Sequence, residues 1–105
     1  MMYNHIMTKR KKFTRLPIEV GYIFQNHRKN LSLKKNSRKF FLDDRVVKGL
    51  LDPDFLSEKT LTNIEKGYNL PNLITLNYLA TCLEVDLIDL IKEIQPYLQK
   101  NNKKV

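Results

Sequence analysis

Four polar residues that start helices stand just before runs whose apolar residues fall three and four apart. This pattern constrains the fold more than any other feature of the chain. Asn36 or Ser37 precedes "RKFFLDDRVV", and Ser57 precedes "EKTLTNIE". Asn72 precedes "LITLNYLATCL", and Asp86 precedes "LIDLIKEI". Short polar side chains at such places satisfy the first free backbone N–H groups of a helix. An earlier run, residues 17–30, opens on Pro17, whose missing N–H costs nothing in a first helical turn. Val20, Ile23, Phe24, His27 and Leu31 keep helical spacing there.

The stops are equally marked. Gly67 closes the third helix, and Gly49 and Pro53 break the pattern after the second. Residues 48–56, "KGLLDPDFL", read as a connection whose Leu50, Leu51, Phe55 and Leu56 pack down on the core. On helix two the buried side is expected from Phe40, Phe41, Val46 and Val47, with Asp43 and Asp44 in solvent. Leu61 and Ile64 form a narrow stripe on helix three. Leu73, Leu76, Leu79, Ala80 and Leu83 mark helix four; Leu87, Leu90, Ile91, Ile94 and Leu98 mark helix five. Pro96 is expected to kink or end that last helix. With 105 residues, three glycines and little strand-like alternation, the reading is a compact all-α domain of five helices.

Charge divides the chain. Of the net +8, residues 1–36 hold nine Lys/Arg against one acid, whereas residues 37–98 hold seven Lys/Arg against ten acids. Residues 99–105 add three lysines. The expected organisation is a flexible basic arm over 1–15, the folded domain over 16–98 and a flexible basic tail over 99–105. Basic arms attract nucleic acid or anionic membrane, and otherwise simply aid solubility. No run reaches the roughly 18 apolar residues of a membrane span. One cysteine, Cys82, excludes an internal disulfide and suits a reducing, cytoplasmic setting. Two histidines and one cysteine offer no ligand set with metal spacing, and no cofactor is expected. No nucleophile–base pair or glycine-rich phosphate loop stands out, so an enzyme is not expected. His5 lies in the arm; His27, Tyr22 and Tyr78 read as packing residues and Cys82 as a small core residue.

Particular spacings add a resemblance. Val20, Gly21, Phe24 and Arg28 follow an apolar–Gly opening with an arginine eight residues after the apolar position. Ser57, Leu61, Ile64, Glu65 and Gly67 follow in step, and then Pro71, Leu76, Leu79, Ala80, Leu83, Val85 and Leu90. Together they resemble the Xre/Cro-type helix-turn-helix family, the lambda-repressor-like domain, over residues 18–91. The chain departs from it between helices two and three. There 48–56 replaces the turn of 3–4 residues usual in that motif.

The resemblance implies double-stranded DNA as partner, read in the major groove by helix 57–66. Glu58, Lys59, Thr62 and Asn63 would then reach base edges. Ser57, Lys66, Tyr68, Asn69, Arg38 and Lys39 would lie near phosphates. It also implies a structural ion pair between Arg28 and Glu65. The expected function is a sequence-specific transcriptional regulator, a repressor, acting as a homodimer. An antitoxin or accessory module with a protein partner on the C-terminal helix is the alternative, and nonspecific binding through the arms a third reading.

Overall fold

The computed structural model describes residues 17–102, with side chains through residue 98. The basic arm over 1–15 and residues 103–105 of the tail lie outside the described residues. Five helices follow one another: α1 (Ile18–Lys29), α2 (Arg38–Val47), α3 (Glu58–Glu65), α4 (Leu73–Leu83) and α5 (Leu87–Asn102). The described residues contain no strand. The domain is all-α.

Each start has a visible cause. The Ser37 hydroxyl accepts from the N–H of Phe40 at 3.1 Å, which settles the choice between Asn36 and Ser37. Ser57 accepts from Thr60 N–H at 3.0 Å, and Asn72 Oδ1 accepts from Thr75 N–H at 2.9 Å. Asp86 Oδ2 accepts from the N–H groups of Ile88 and Asp89 at 3.0 and 3.2 Å. Such caps each contribute about 1 kcal/mol.

The ends of α2, α3 and α4 share one geometry. After α2, Leu50 N–H reaches Arg45 C=O and Gly49 N–H reaches Val46 C=O, with Gly49 at φ +78°. After α3, Tyr68 N–H reaches Asn63 C=O and Gly67 N–H reaches Ile64 C=O, with Gly67 at φ +79°. The same bonds close α4, but there Glu84 takes the left-handed conformation at φ +61°. This arrangement places one left-handed residue past the helix end, a place usually filled by glycine.

The core joins all five helices and the 48–56 connection. Val20, Phe24, Phe41, Leu61, Ile64, Leu79, Cys82 and Leu90 are each no more than 2% exposed. Leu51 and Leu56 are buried as well, so the long connection is part of the core. Phe55 lies against Tyr78 with ring centroids 4.4 Å apart. Tyr22, by contrast, is half exposed and is no packing residue. Helix α1 packs on α3 and α5, α2 packs on α3, and α4 packs on α5.

Four further expectations need correction. Val47 is 85% exposed, and the inward face of α2 is instead made by Phe41, Leu42 and Arg45. Asp44 is not freely solvated: it pairs with Arg45 and Lys48. Leu73 is 65% exposed, because the buried stripe of α4 starts only at Leu76. Finally, α5 continues through Pro96 to Asn102, so residues 99–102 extend the helix. Pro96 removes one helical hydrogen bond, and the acceptor so freed belongs to Lys92. Both residues are exposed, while Tyr97 and Leu98 beyond them pack against the core and hold the helix on.

Gly21 governs the approach of α1 to α3. A Cβ there would collide with the Glu65 carbonyl oxygen and lie 2.8 Å from Gly67 N. Both neighbours are backbone and cannot swing aside. Gly21→Ala is expected to destabilise the domain by about 3 kcal/mol, the upper end for overpacking. Urea unfolding followed by circular dichroism measures it, and an unchanged midpoint would show that α1 does not need this close approach.

Candidate nucleic-acid interface

Helix α3 is eight residues long and is fastened from several sides. At its start the Ser57 hydroxyl accepts from Thr60 N–H and donates to Thr60 Oγ1 at 2.9 Å. Glu58 in the first turn suits the positive end of the helix dipole. Leu61 and Ile64, each 2% exposed, anchor its inner face in the core.

The tightest fastening is electrostatic. The Glu65 side chain is fully buried and that of Arg28 is 4% exposed. Arg28 Nε donates to Glu65 Oε2 at 2.7 Å and Nη2 donates to Oε1 at 2.9 Å. Its remaining terminal nitrogen, Nη1, donates to the Asn36 carbonyl. Arg38 Nε donates to the same Glu65 Oε1 at 2.8 Å. One carboxylate thus joins α1, α2 and α3, and Arg28 adds the segment before α2. The pair expected between Arg28 and Glu65 is present, and Arg38 makes it a triad. Arg38, expected near phosphates, is therefore held by Glu65, with about a quarter of its side chain exposed.

The outward side of α3 carries the four residues expected to read bases. Glu58 and Lys59 are exposed, and Thr62 and Asn63 are half-buried. The Thr62 hydroxyl donates back to the Glu58 carbonyl at 2.8 Å. That leaves its methyl group and its acceptor lone pairs for an outside contact. The side chains of Glu58, Lys59 and Asn63 enter no hydrogen bond or ion pair among the described residues. Lys66 and Asn69 are exposed, as is Tyr68 at 44%. The Ser57 hydroxyl is committed to Thr60, so its place near a backbone would rest on the helix end it caps. Lys39 is exposed and pairs with Asp43 at 3.2 Å, one turn along α2. Such a surface pair contributes roughly 0.3–0.5 kcal/mol and yields readily to a competing anion.

Between α2, the connection and α3 lies a shallow groove of about 170 Å³ lined by Leu42, Val46, Leu51, Pro53, Leu56 and Glu58 among others.

A second buried cation had no part in the sequence reading. Arg45, 1% exposed, donates from Nη1 to the Cys82 carbonyl and to Glu84 Oε2, each at 2.9 Å. Its Nε and Nη2 donate to Asp44 Oδ2, and the guanidinium carbon lies 5.8 Å from the centre of the Phe41 ring. Burial acts to lower the Arg45 pKa, but the Glu84 and Asp44 carboxylates outweigh it and raise the value. The Arg45 guanidinium in turn holds the Asp44 carboxyl below its usual range. Position was the available signal: Arg45 follows Phe41 by four and Leu42 by three, squarely in the buried stripe. A second missed contact joins α1 to α5, where His27 Nε2 lies 3.0 Å from Glu93 Oε1.

Cys82 is fully buried, and burial pushes its thiol up to about 11. That is the profile of an inert core residue. Among the described residues no group of His, Cys, Asp and Glu could hold a metal ion, and no helix is long and apolar enough to cross a membrane. Comparison with protein-family models, curated proteins and solved structures finds no match.

Glu65→Ala would leave Arg28 buried without its partner. Breaking a buried pair in this way costs about 3–5 kcal/mol. Urea unfolding should record a loss on that scale, and a variant as stable as the parent would show that the triad does not hold the helices together.

Proposed function

We propose that this chain is a sequence-specific DNA-binding transcriptional regulator of the helix-turn-helix type, a repressor, that reads the major groove with α3. One observation carries the reading. Leu61, Ile64 and Glu65 face inward, while Glu58, Lys59, Thr62 and Asn63 stand together on the outer side. A short helix fixed along its inner face presents polar side chains of varied hydrogen-bonding type in defined positions. The major groove admits a helix and displays a distinct donor–acceptor pattern for each base pair.

The roles follow from the chemistry of each group. Lys59 donates to guanine O6 or N7, and the Asn63 amide pairs with adenine N6 and N7. Thr62 offers its methyl to thymine, and Glu58 accepts from cytosine N4. Lys66, Tyr68, Asn69 and Lys39, with Ser57 at the helix start, flank the phosphates and set register. Arg38 contributes its partly exposed charge from its seat on Glu65. Most of the chain's excess positive charge lies in residues 1–36, where it supplies attraction without sequence preference. The resemblance in residues 18–91 supports the same assignment. Repressors of this kind act as dimers on half-sites roughly 34–36 Å apart. A single buried thiol is compatible with the cytoplasm, where we place the protein. Neither a cofactor nor catalysis forms part of this reading.

A second reading is favoured by the exposed Leu73, Ile74 and Ile88. An antitoxin or accessory module would use such residues, with α5, to bind a different protein.

Selection of binding sites from random duplex DNA tests the regulator reading. An enriched motif is expected. Asn63→Ala should relax preference at defined base positions, each worth about 1–3 kcal/mol of discrimination, without lowering the melting temperature. Selection that enriches no motif would overturn the proposal.

A further inference from the structure

Two arginines share the Glu65 carboxylate, and they use it differently. Arg28 is engaged wholly inside the domain: Nε and Nη2 donate to Glu65, Nη1 donates to the Asn36 carbonyl, and the side chain is 4% exposed. Arg38 commits one edge only. Its Nε donates to Glu65 Oε1 at 2.8 Å, and its Nη1 and Nη2 enter no hydrogen bond among the described residues. No buried side-chain nitrogen or oxygen there lacks a partner, so both atoms reach solvent, in keeping with a side chain a quarter exposed.

The charges divide in the same way. Two guanidiniums on one carboxylate leave one positive charge over, and it faces outward at Arg38. A guanidinium is planar, with its donors in a fixed fork. Holding Nε on a buried carboxylate therefore fixes the direction of Nη1 and Nη2. An arginine loose on a surface gives up rotamer freedom when it grips an anion, whereas Arg38 has given up much of it on folding. The anchor also lies on the helix that presents the outer polar residues. Glu65 follows Thr62 by one turn and directly precedes Lys66.

We propose that Glu65 is a positioning residue for DNA binding: through its bond to Arg38 Nε it aims Nη1 and Nη2 at a backbone phosphate, at a set place relative to Thr62 and Asn63. The inference rests on the regulator reading and goes beyond it, since it gives the buried carboxylate a part in binding as well as in the fold. Arg38 bridges carboxylate and phosphate through different edges of one plane. Lysine, with a single nitrogen on a flexible stem, has no second edge to offer.

Fluorescence anisotropy of the full chain tests it, with labelled duplex carrying either the motif that selection enriches or a random sequence. Arg38→Ala should weaken binding to both duplexes about tenfold and lower the salt slope by about one. Arg38→Lys, which leaves Arg28 on Glu65, should lose nearly as much despite keeping the charge. Glu65→Gln, measured where circular dichroism shows it folded, should weaken the parent to a similar degree and add nothing to Arg38→Ala. The proposal is overturned if Arg38→Lys binds like the parent, which would reduce Arg38 to a general surface charge. It is equally overturned if Glu65→Gln weakens Arg38→Ala as much as it weakens the parent, the mark of a purely structural carboxylate. If Glu65→Gln fails to fold, Arg38→Lys decides. A parent that enriches no motif contradicts the regulator reading; if it still binds duplex and loses that binding with Arg38→Lys, the positioning role stands. A parent that binds no duplex overturns both.

Discussion

The Glu65 carboxylate is the point on which the helical arrangement turns. It lies out of solvent and accepts from Arg28 twice and from Arg38 once. A carboxylate taken out of water loses several kcal/mol of hydration, and only close, well-aligned donors repay it. Those donors come from α1 and α2, so α3 keeps its charge compensated only while all three helices hold their places. Gly21 acts at the same spot by a different means. Without a side chain, it lets the α1 backbone rest on the carbonyl of Glu65 itself. Ion pair and close approach fix α1 to the last turn of α3 through side chain and backbone together.

Arg45 does for the other end of the domain what Glu65 does for this one. It reaches from α2 to the end of α4, where Glu84 holds a left-handed conformation that costs a side-chain-bearing residue about 1–2 kcal/mol. The Glu84 carboxylate gains the buried guanidinium as a partner, a role that glycine at the same turn would leave empty. Cys82, on the same turn of chain, gives its carbonyl to Arg45, and its thiol lies 3.7 Å from the Leu50 carbonyl. The long connection is thereby bound to both α2 and α4. Ten residues separate α2 from α3, yet Leu51 and Leu56 are as firmly buried as helix residues. The connection is part of the core, and the Ser57 cap holds α3 at its start.

Much of this was legible in the sequence because it is local. A capping serine or asparagine, a glycine past a helix end and a stripe at helical spacing each act within a few residues. The starts at Ser57, Asn72 and Asp86, a start at Asn36 or Ser37, and the stops at Gly49 and Gly67 were accordingly readable. What could not be read depends on partners distant in the chain. Arg45 drew no reading at all, because its partner Glu84 lies 39 residues away. Arg38 looked free because Glu65 lies 27 residues away. Val47 looked buried by type, although only tertiary packing decides which side of α2 turns inward. Pro96 looked like an end, but packing at Tyr97 and Leu98 carries the helix past it. At the candidate site, the division of α3 into inner and outer residues was legible from Leu61 and Ile64. The reach of Arg28 and Arg38 to Glu65 was only partly so.

The two ionic centres also explain how a polar, nearly neutral α3 suits a basic protein. Glu65 spends its charge inside the domain, and the excess positive charge lies mostly elsewhere in the chain. What α3 offers outward is hydrogen-bonding variety on a rigid support. That rigidity depends on Arg28 and Glu65 acting as one unit, which a double-mutant cycle measures directly. Unfolding free energies of the parent, Arg28→Gln, Glu65→Gln and the double variant should reveal a coupling of about 1–3 kcal/mol, the double variant losing less than the two single losses combined. Losses that simply add would contradict the account.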